Sequence, residues 1–238
     1  MPEPAATPVE AFAAAAQLHL DGYTLLRGAI PMQWREPLRA EFDAGVKPND
    51  QWPVPRGADW RHSLLDLSPT VQSVCRLPEV LAAVGELIGE RFFLAQVEGR
   101  EPLPGGGHQG LHRDLSSQRP GDTVLAIAFL DDYGPANGAT RIVPASHRPG
   151  PEPFDFNDAG QATQLSGEAG DILVFEADLV HAGSRNVAGA RRRSLLMSFF
   201  AEPLYASHLK TAHLRSIRMD AAWFETTRAA SSREAAEG

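Results

Sequence analysis

From residue 91 to residue 201 the chain is cut into short apolar segments, 91–99, 123–130, 139–143, 161–165, 171–176 and 192–201, separated by stretches rich in Gly and Pro. Runs of this length, bounded by turn residues, read as strands. A succession of short strands closed by Gly/Pro turns builds a jelly roll or a barrel. The fold expected is mainly β with flanking helices.

Within that frame the stretch that carries chemistry is Gly110-Leu111-His112-Arg113-Asp114-Leu115. Side chains alternate faces along an extended chain, so His112 and Asp114 leave the same side. Imidazole plus carboxylate is the ligand mixture suited to non-haem iron(II). A third donor is His181, which follows the apolar run Leu179-Val180 and precedes the turn residue Gly183. Two histidines and one carboxylate make a facial triad, which leaves metal positions open for a co-substrate and dioxygen. His108, in Gly105-Gly106-Gly107-His108, is a rival donor on a glycine loop.

Arg192 heads an apolar strand, and a charge entering such a strand needs a partner. If Arg192 points inward, Ser194, Leu196 and Ser198 do too, while Arg193, Leu195, Met197 and Phe199 face the other side. Guanidinium forks carboxylate, so an inward arginine beside a triad implies a co-substrate with a distal carboxylate. The same alternation along Gln96-Val97-Glu98-Gly99-Arg100 turns Gln96, Glu98 and Arg100 to one face. Glu98 and Arg100 either pair with each other or border the substrate space, where a small zwitterion would satisfy both.

Taken together these pieces resemble the phytanoyl-CoA dioxygenase-like branch of the iron(II)/2-oxoglutarate-dependent oxygenases. Residues 21–28, Asp21-Gly22-Tyr23-Thr24-Leu25-Leu26-Arg27-Gly28, look like the family's opening strand. Asn137-Gly138-Ala139-Thr140-Arg141-Ile142-Val143-Pro144-Ala145-Ser146-His147 looks like its middle signature, which usually has Gly where Ala145 stands. Gly170-Asp171-Ile172-Leu173-Val174-Phe175 leading to His181, and Arg192-Arg193-Ser194, complete the set. The resemblance implies a double-stranded β-helix, iron(II) at His112, Asp114 and His181, and 2-oxoglutarate paired with Arg192, with Gln96, Thr140 and Ser194 lining its cavity. It also implies consumption of O2 with release of succinate and CO2. Halogenating relatives lack the carboxylate, so Asp114 points to hydroxylation, although desaturation, cyclisation and epoxidation share the chemistry. Two other readings stand beside it: a cupin-like metal-dependent isomerase or hydrolase, and a non-catalytic small-ligand binder of the same fold.

The rest of the chain fits one oxygenase domain over residues 1–238: a helical flank with the opening strand (1–90), the jelly-roll core (91–203) and a C-terminal helix and tail (204–238). A net charge of −8 argues against nucleic acid as partner. The single cysteine, Cys75, excludes an internal disulfide framework and reads as a small buried hydrophobe. No signal peptide and no membrane-length apolar run is visible, so a cytoplasmic protein with a small-molecule substrate is expected. Oligomeric state is left open by the sequence.

Thr7-Pro8-Val9-Glu10 reads as a capped helix start, with a helix running to Leu20. Further helices are expected over 37–44, 69–75 and 78–88. Residues 48–66, rich in Pro, Gly and charge and carrying Trp52 and Trp60, are expected to form a long loop that either closes over the site or packs on the surface. Residues 204–224 read as partly helical, and the Ala/Ser/Glu-rich end at 229–238 as frayed.

Overall fold

The computed structural model describes residues 8–47, 57, 59–63, 68–114, 119–150, 153–214 and 223–224. In chain order the elements are α1 (Pro8–Asp21), β1 (Tyr23–Leu26), α2 (Met32–Gly45), β2 (Val46–Lys47), β3 (Trp60–Ser63), α3 (Pro69–Val74), α4 (Pro78–Ile88) and β4 (Phe92–Arg100). They are followed by β5 (Thr123–Phe129), β6 (Thr140–Ile142), β7 (Thr163–Gln164), β8 (Ile172–Glu176), β9 (His181–Gly183), β10 (Ser194–Ala201), α5 (Tyr205–Lys210) and β11 (Trp223–Phe224). The larger sheet runs β1-β8-β5-β10-β4-β3-β2 with β11 also on β4, and the smaller runs β7-β6-β9. All named pairs are antiparallel. This is the expected double-stranded β-helix, a curled sheet facing a short one.

The two faces of the large sheet do different work. Leu195, Met197 and Phe199 of β10, with Val124, Ala126 and Ala128 of β5 and Ile172 and Val174 of β8, are buried against the helices. Those helices contribute Leu18, Leu38, Phe42, Val71, Val74, Val80 and Val84. Each large apolar side chain buried there is worth about 1.5–3 kcal/mol, which is what clamps the helical flank to the barrel. On the opposite, concave face the register builds cross-strand rows: Gln96 beside Ser198 beside Leu125, then Glu98 beside Leu196 beside Ile127, then Arg100 beside Ser194 beside Phe129. Polar groups gather on the β4–β10 side of these rows, while Leu125, Ile127, Leu173 and Phe175 pack toward the small sheet.

Several sequence expectations need correction. The helix expected over 37–44 begins at Met32 and holds Pro37 inside it. Pro37 is on the exposed face, so the carbonyl that loses its helical donor remains open to water. Residues 60–63, expected as loop, form β3 and pair with both β2 and β4; most of the remaining lid segment, Trp52 included, lies outside the described residues. Gly183, expected as a turn residue after His181, instead closes the strand β9 that His181 opens. The strand expected from 192 starts at Ser194, because the Arg193 N–H donates to the Asp131 carboxylate at 2.9 Å and leaves the ladder at that point. The partly helical segment 204–224 ends in strand β11, whose Trp223 and Phe224 pair with Phe93 and Phe92. Thr7 and the tail 229–238 lie outside the described residues.

Candidate metal centre

His112 sits just outside the small sheet, in a two-residue bridge with the first residue of β9, His181. Their backbone hydrogen bonds put both side chains on one side, with ring centroids 4.5 Å apart. Each ring is then oriented by its own chain: His112 Nδ1 lies 2.8 Å from the Gly110 carbonyl, and His181 Nδ1 lies 2.9 Å from the Leu179 carbonyl. A carbonyl only accepts, so each Nδ1 carries a proton, and in the neutral form of the ring Nε2 is the atom left with a lone pair for a metal. Those two Nε2 atoms lie 3.6 Å from the two oxygens of Asp114, one on each. One ligand atom from each of the three residues falls within 4.8 Å of the others, the only such group of His, Cys, Asp and Glu among the described residues.

The donor set fits a metal ion on its own chemistry. Two imidazole Nε2 atoms and one carboxylate converge, and the Nδ1–H to carbonyl bonds are the outer contacts that metal-bound histidines ordinarily make. Burial pulls the His181 pKa below its usual value, the Asp114 carboxylate opposing this, so the ring is held in its ligating neutral form. Exposure decreases from Asp114 (48% of its side chain) through His112 (33%) to His181 (9%). The triad therefore opens outward at Asp114 and is closed behind His181, where the Phe175 ring stands edge-on at 5.0 Å. His108 is exposed on its loop and is not part of the group.

Arg192 is 2% exposed, and its Nε has no hydrogen-bond partner among the described residues. Its guanidinium carbon lies 4.4 Å from the centre of the Tyr133 ring, which stacks in turn on Phe129 at 3.7 Å. The flanking arginines turn away from Arg192 into ion pairs: exposed Arg191 with Glu101 and Asp43, buried Arg193 with Asp131 and Asp43. The alternation read from the sequence is therefore present even though Arg192 precedes the strand. A buried guanidinium with an unused N–H is a cradle for an anion.

Arg100 supplies a second buried cation. Its Nη1 donates to Gln109 Oε1 at 2.9 Å, its guanidinium carbon lies 5.0 Å from the centre of the Trp60 ring, and burial followed by the nearby Arg192 lowers its pKa to about 10. It remains charged at neutral pH, within electrostatic reach of Asp114, His181 and Arg192. Glu98 and Gln96 share its face of β4. Ser194 donates to the Arg100 carbonyl at 3.2 Å, and Thr140, on the same face of β6 as the core residue Ile142, is buried opposite Gly183.

Sequence reasoning missed Tyr133, Gln109 and Gly183. Tyr133 covers Arg192 and has a buried hydroxyl without a partner. Gln109 accepts from both Arg100 and the Gly183 N–H. Tyr133 stands where β5 gives way to the turn before the family-like signature, a place where an aromatic with a polar tip could have been singled out. Gln109 and Gly183 left no such signal, because their importance comes from a pairing across 74 residues.

The family model described as phytanoyl-CoA dioxygenase (PhyH) matches residues 18–194. Among curated proteins the chain is 34% identical to the iron/alpha-ketoglutarate-dependent dioxygenase ausU of Aspergillus calidoustus, over 60% of this chain and 49% of that protein. It is 25% identical to the iron/alpha-ketoglutarate-dependent dioxygenase okaE of Penicillium ochrochloron, over 74% and 66%. The chain thus spans about half to two thirds of the length of these relatives. Among solved structures it resembles the non-heme alpha ketoglutarate dependent epimerase SnoN from nogalamycin biosynthesis, with TM-score 0.67 and 21% identity over 82% of both chains. It also resembles HygX from Streptomyces hygroscopicus with nickel and 2-oxoglutarate bound, with TM-score 0.64 and 17% identity over 83% of this chain and 88% of that one.

Proposed function

This chain belongs to the phytanoyl-CoA dioxygenase family, and from that premise we propose that it is an iron(II)- and 2-oxoglutarate-dependent oxygenase acting on a small molecule. The reading is carried by one arrangement: two histidines whose Nδ1 atoms are already engaged, converging through Nε2 on Asp114. Arg192 adds the second half of the requirement, a buried cation with a free N–H. His112, Asp114 and His181 hold the metal. Arg192 takes the distal carboxylate of 2-oxoglutarate, with Ser194, Thr140 and Gln96 as its polar surroundings.

When bound, iron and 2-oxoglutarate supply the activation of O2, with release of succinate and CO2. The protein's share is orientation and water exclusion. Tyr133 lies over Arg192 and shields it from water, and a guanidinium–carboxylate contact strengthens as its surroundings become less polar. The two Nδ1–H groups stay donated to the Gly110 and Leu179 carbonyls, so neither ring turns away from the site.

Hydroxylation is the outcome we assign, since Asp114 occupies the position that a halogenating site leaves for chloride. SnoN is an epimerase and SnoK a carbocyclase, so both outcomes belong in the same assay. An isomerase or hydrolase using the triad alone would leave Arg192 without a role. For the substrate we propose a small polar or amino-acid-like molecule, because the inward row of β4 places Glu98 and Arg100 on the concave face. HygX and SnoN have been solved with hygromycin B and nogalamycin RO bound, which supports a small-molecule substrate here. The test is succinate formation by the iron-loaded protein with 2-oxoglutarate and a panel of amino acids, betaines and acyl-CoA esters. Response to acyl-CoA alone, unchanged in Glu98→Gln, overturns the substrate class; no 2-oxoglutarate turnover or binding overturns the oxygenase reading.

A further inference from the structure

We propose that Arg113, the residue between the two ligands His112 and Asp114, is a positioning residue for the metal centre, clamping their segment to the loop that presents His181. This rests on reading the triad as metal ligands. Alternation sends Arg113 to the side opposite its neighbours. There its Nε donates to the Asp178 carbonyl at 2.9 Å and its Nη2 to the Ser146 carbonyl at 2.8 Å. Its guanidinium also lies near two aromatic rings, 5.8 Å from the centre of Phe154 and 5.6 Å from that of Phe156.

The loop held in this way is fixed at three successive residues. The Asp178 carbonyl accepts from Arg113, the Leu179 carbonyl lies 2.9 Å from His181 Nδ1, and the Val180 N–H donates to Ser146 Oγ at 2.8 Å. Ser146 serves both sides: its carbonyl receives Arg113, while its hydroxyl accepts from Val180 and donates to the Val143 carbonyl at 2.7 Å. One guanidinium therefore holds the carbonyl next to the one that orients the His181 ring.

The backbone bridge between His112 and His181 fixes those two residues. Asp114 lies two residues beyond it with a half-exposed side chain. Arg113 ties that end of the segment down. Released, it would let the 3.6 Å separations between Asp114 and the two Nε2 atoms widen independently. Losing an outer contact of a metal ligand ordinarily costs about 10–100-fold in metal affinity, and the same range is expected here.

The experiment is anaerobic titration of the full chain with Co(II), following affinity and the absorption spectrum of the bound ion, with Fe(II) affinity measured by calorimetry. Arg113→Ala is expected to bind about 10–100-fold more weakly with an altered Co(II) spectrum. Arg113→Lys, which keeps the charge but reaches only one carbonyl, should fall between. Folded Arg113→Ala with unaltered affinity and spectrum overturns the proposal, leaving Arg113 a role in stability alone. Should Arg113→Ala not fold, the lysine variant decides, and unaltered binding there overturns it equally. His181→Ala separates the two levels: undiminished Co(II) binding in that variant defeats the metal reading itself, whatever Arg113 does.

Discussion

His112 and His181 are joined through their main chains before any metal joins their rings: the His112 N–H donates to the His181 carbonyl at 3.0 Å, and the His181 N–H returns to the His112 carbonyl at 2.9 Å. The spacing of the two histidines is thus set by a backbone bridge onto the first residue of β9. Alanine at either histidine should lower iron(II) affinity by at least about 10-fold while leaving this bridge, and the folded chain, intact. Anaerobic calorimetry on both variants reads the affinity, and circular dichroism reads the fold. Unchanged iron binding in either would remove that residue from the ligand set.

Arg192 and Arg193 should fail in different ways. If Arg192 pairs with the distal carboxylate as proposed, its removal takes away one partner of a desolvated ion pair, a loss of about 2–5 kcal/mol or a 2-oxoglutarate affinity weaker by roughly 10²-fold or more. Arg193 is instead gripped by Asp131 through two side-chain bonds of 2.9 and 2.8 Å. Its loss should lower stability by about 3 kcal/mol with 2-oxoglutarate affinity nearly unchanged. Equilibrium dialysis and chemical denaturation on both variants test the contrast; the reverse assignment would overturn the register.

Gly183 leaves room for Arg100. A Cβ there would stand 2.7 Å from the Gly107 carbonyl oxygen, 2.9 Å from Gln109 Oε1 and 3.1 Å from Arg100 Nη2. Gly183→Ala is therefore expected to displace the Gln109–Arg100 pair and raise KM for the primary substrate by about 10-fold or more, corresponding to one lost charge-assisted hydrogen bond, with iron affinity preserved. Equal losses in metal and substrate binding would show that the strand itself had moved.

The helix-facing side of the barrel carries a pH dependence of its own. Burial, with Asp178 adding to it, raises the Glu176 carboxyl to about 7 from 4.5. Between those values the folded protein keeps a proton that the unfolded chain has released, so stability falls as pH rises through the window and the full penalty applies above pH 7. Glu176→Gln retains an acceptor for the Gly121 N–H and removes the ionisation. It should match the parent at pH 4 and exceed it at pH 8 by about 2 kcal/mol. Denaturant titrations at the two pH values decide, and parallel curves for the two proteins would contradict the assignment.

Ala145 is the non-glycine residue in the left-handed region among those described, at φ 64°. An L side chain there costs about 1–2 kcal/mol, partly offset in glycine by a more flexible unfolded chain. Ala145→Gly should raise stability by roughly 0.5–1 kcal/mol, seen as a higher Tm. A lower Tm would mean that the methyl group contributes packing that outweighs the strain.

This last residue also shows what the sequence could carry. The departure from the family signature at Ala145 was legible as a missing glycine, but only the backbone gives the reason, a positive φ next to the Asp21 carbonyl that accepts from its N–H at 2.8 Å. The common side of His112 and Asp114 and the inward aim of Arg192 follow from strand alternation, because a period of two survives small errors in strand boundaries, while His181 is marked by the apolar run that precedes it. What alternation cannot supply is partnership across the chain: Gln109 with Gly183, Asp131 with Arg193 and Trp60 with Arg100 are set by register and turn geometry. Strand β3 at 60–63 is hidden in the sequence for a related reason: a four-residue strand with one large apolar residue, Trp60, followed by Arg61, His62 and Ser63 carries too little pattern to mark a strand, even though β2 and β4 pair with it on both sides.

The position of β10 has a consequence for assembly on the ribosome. In the large sheet β1, β8 and β5 lie on one side of it and β4, β3 and β2 on the other, and β10 pairs with both β5 and β4. The last long strand to be synthesised is the one at the centre. Until residues 194–201 emerge, β4 and β5 are two open edges without their shared neighbour, and nascent chains in that condition are exposed to wrong pairing. The closing of the barrel, and with it the burial of Arg192 just ahead of that strand, waits for nearly the whole described core to be translated.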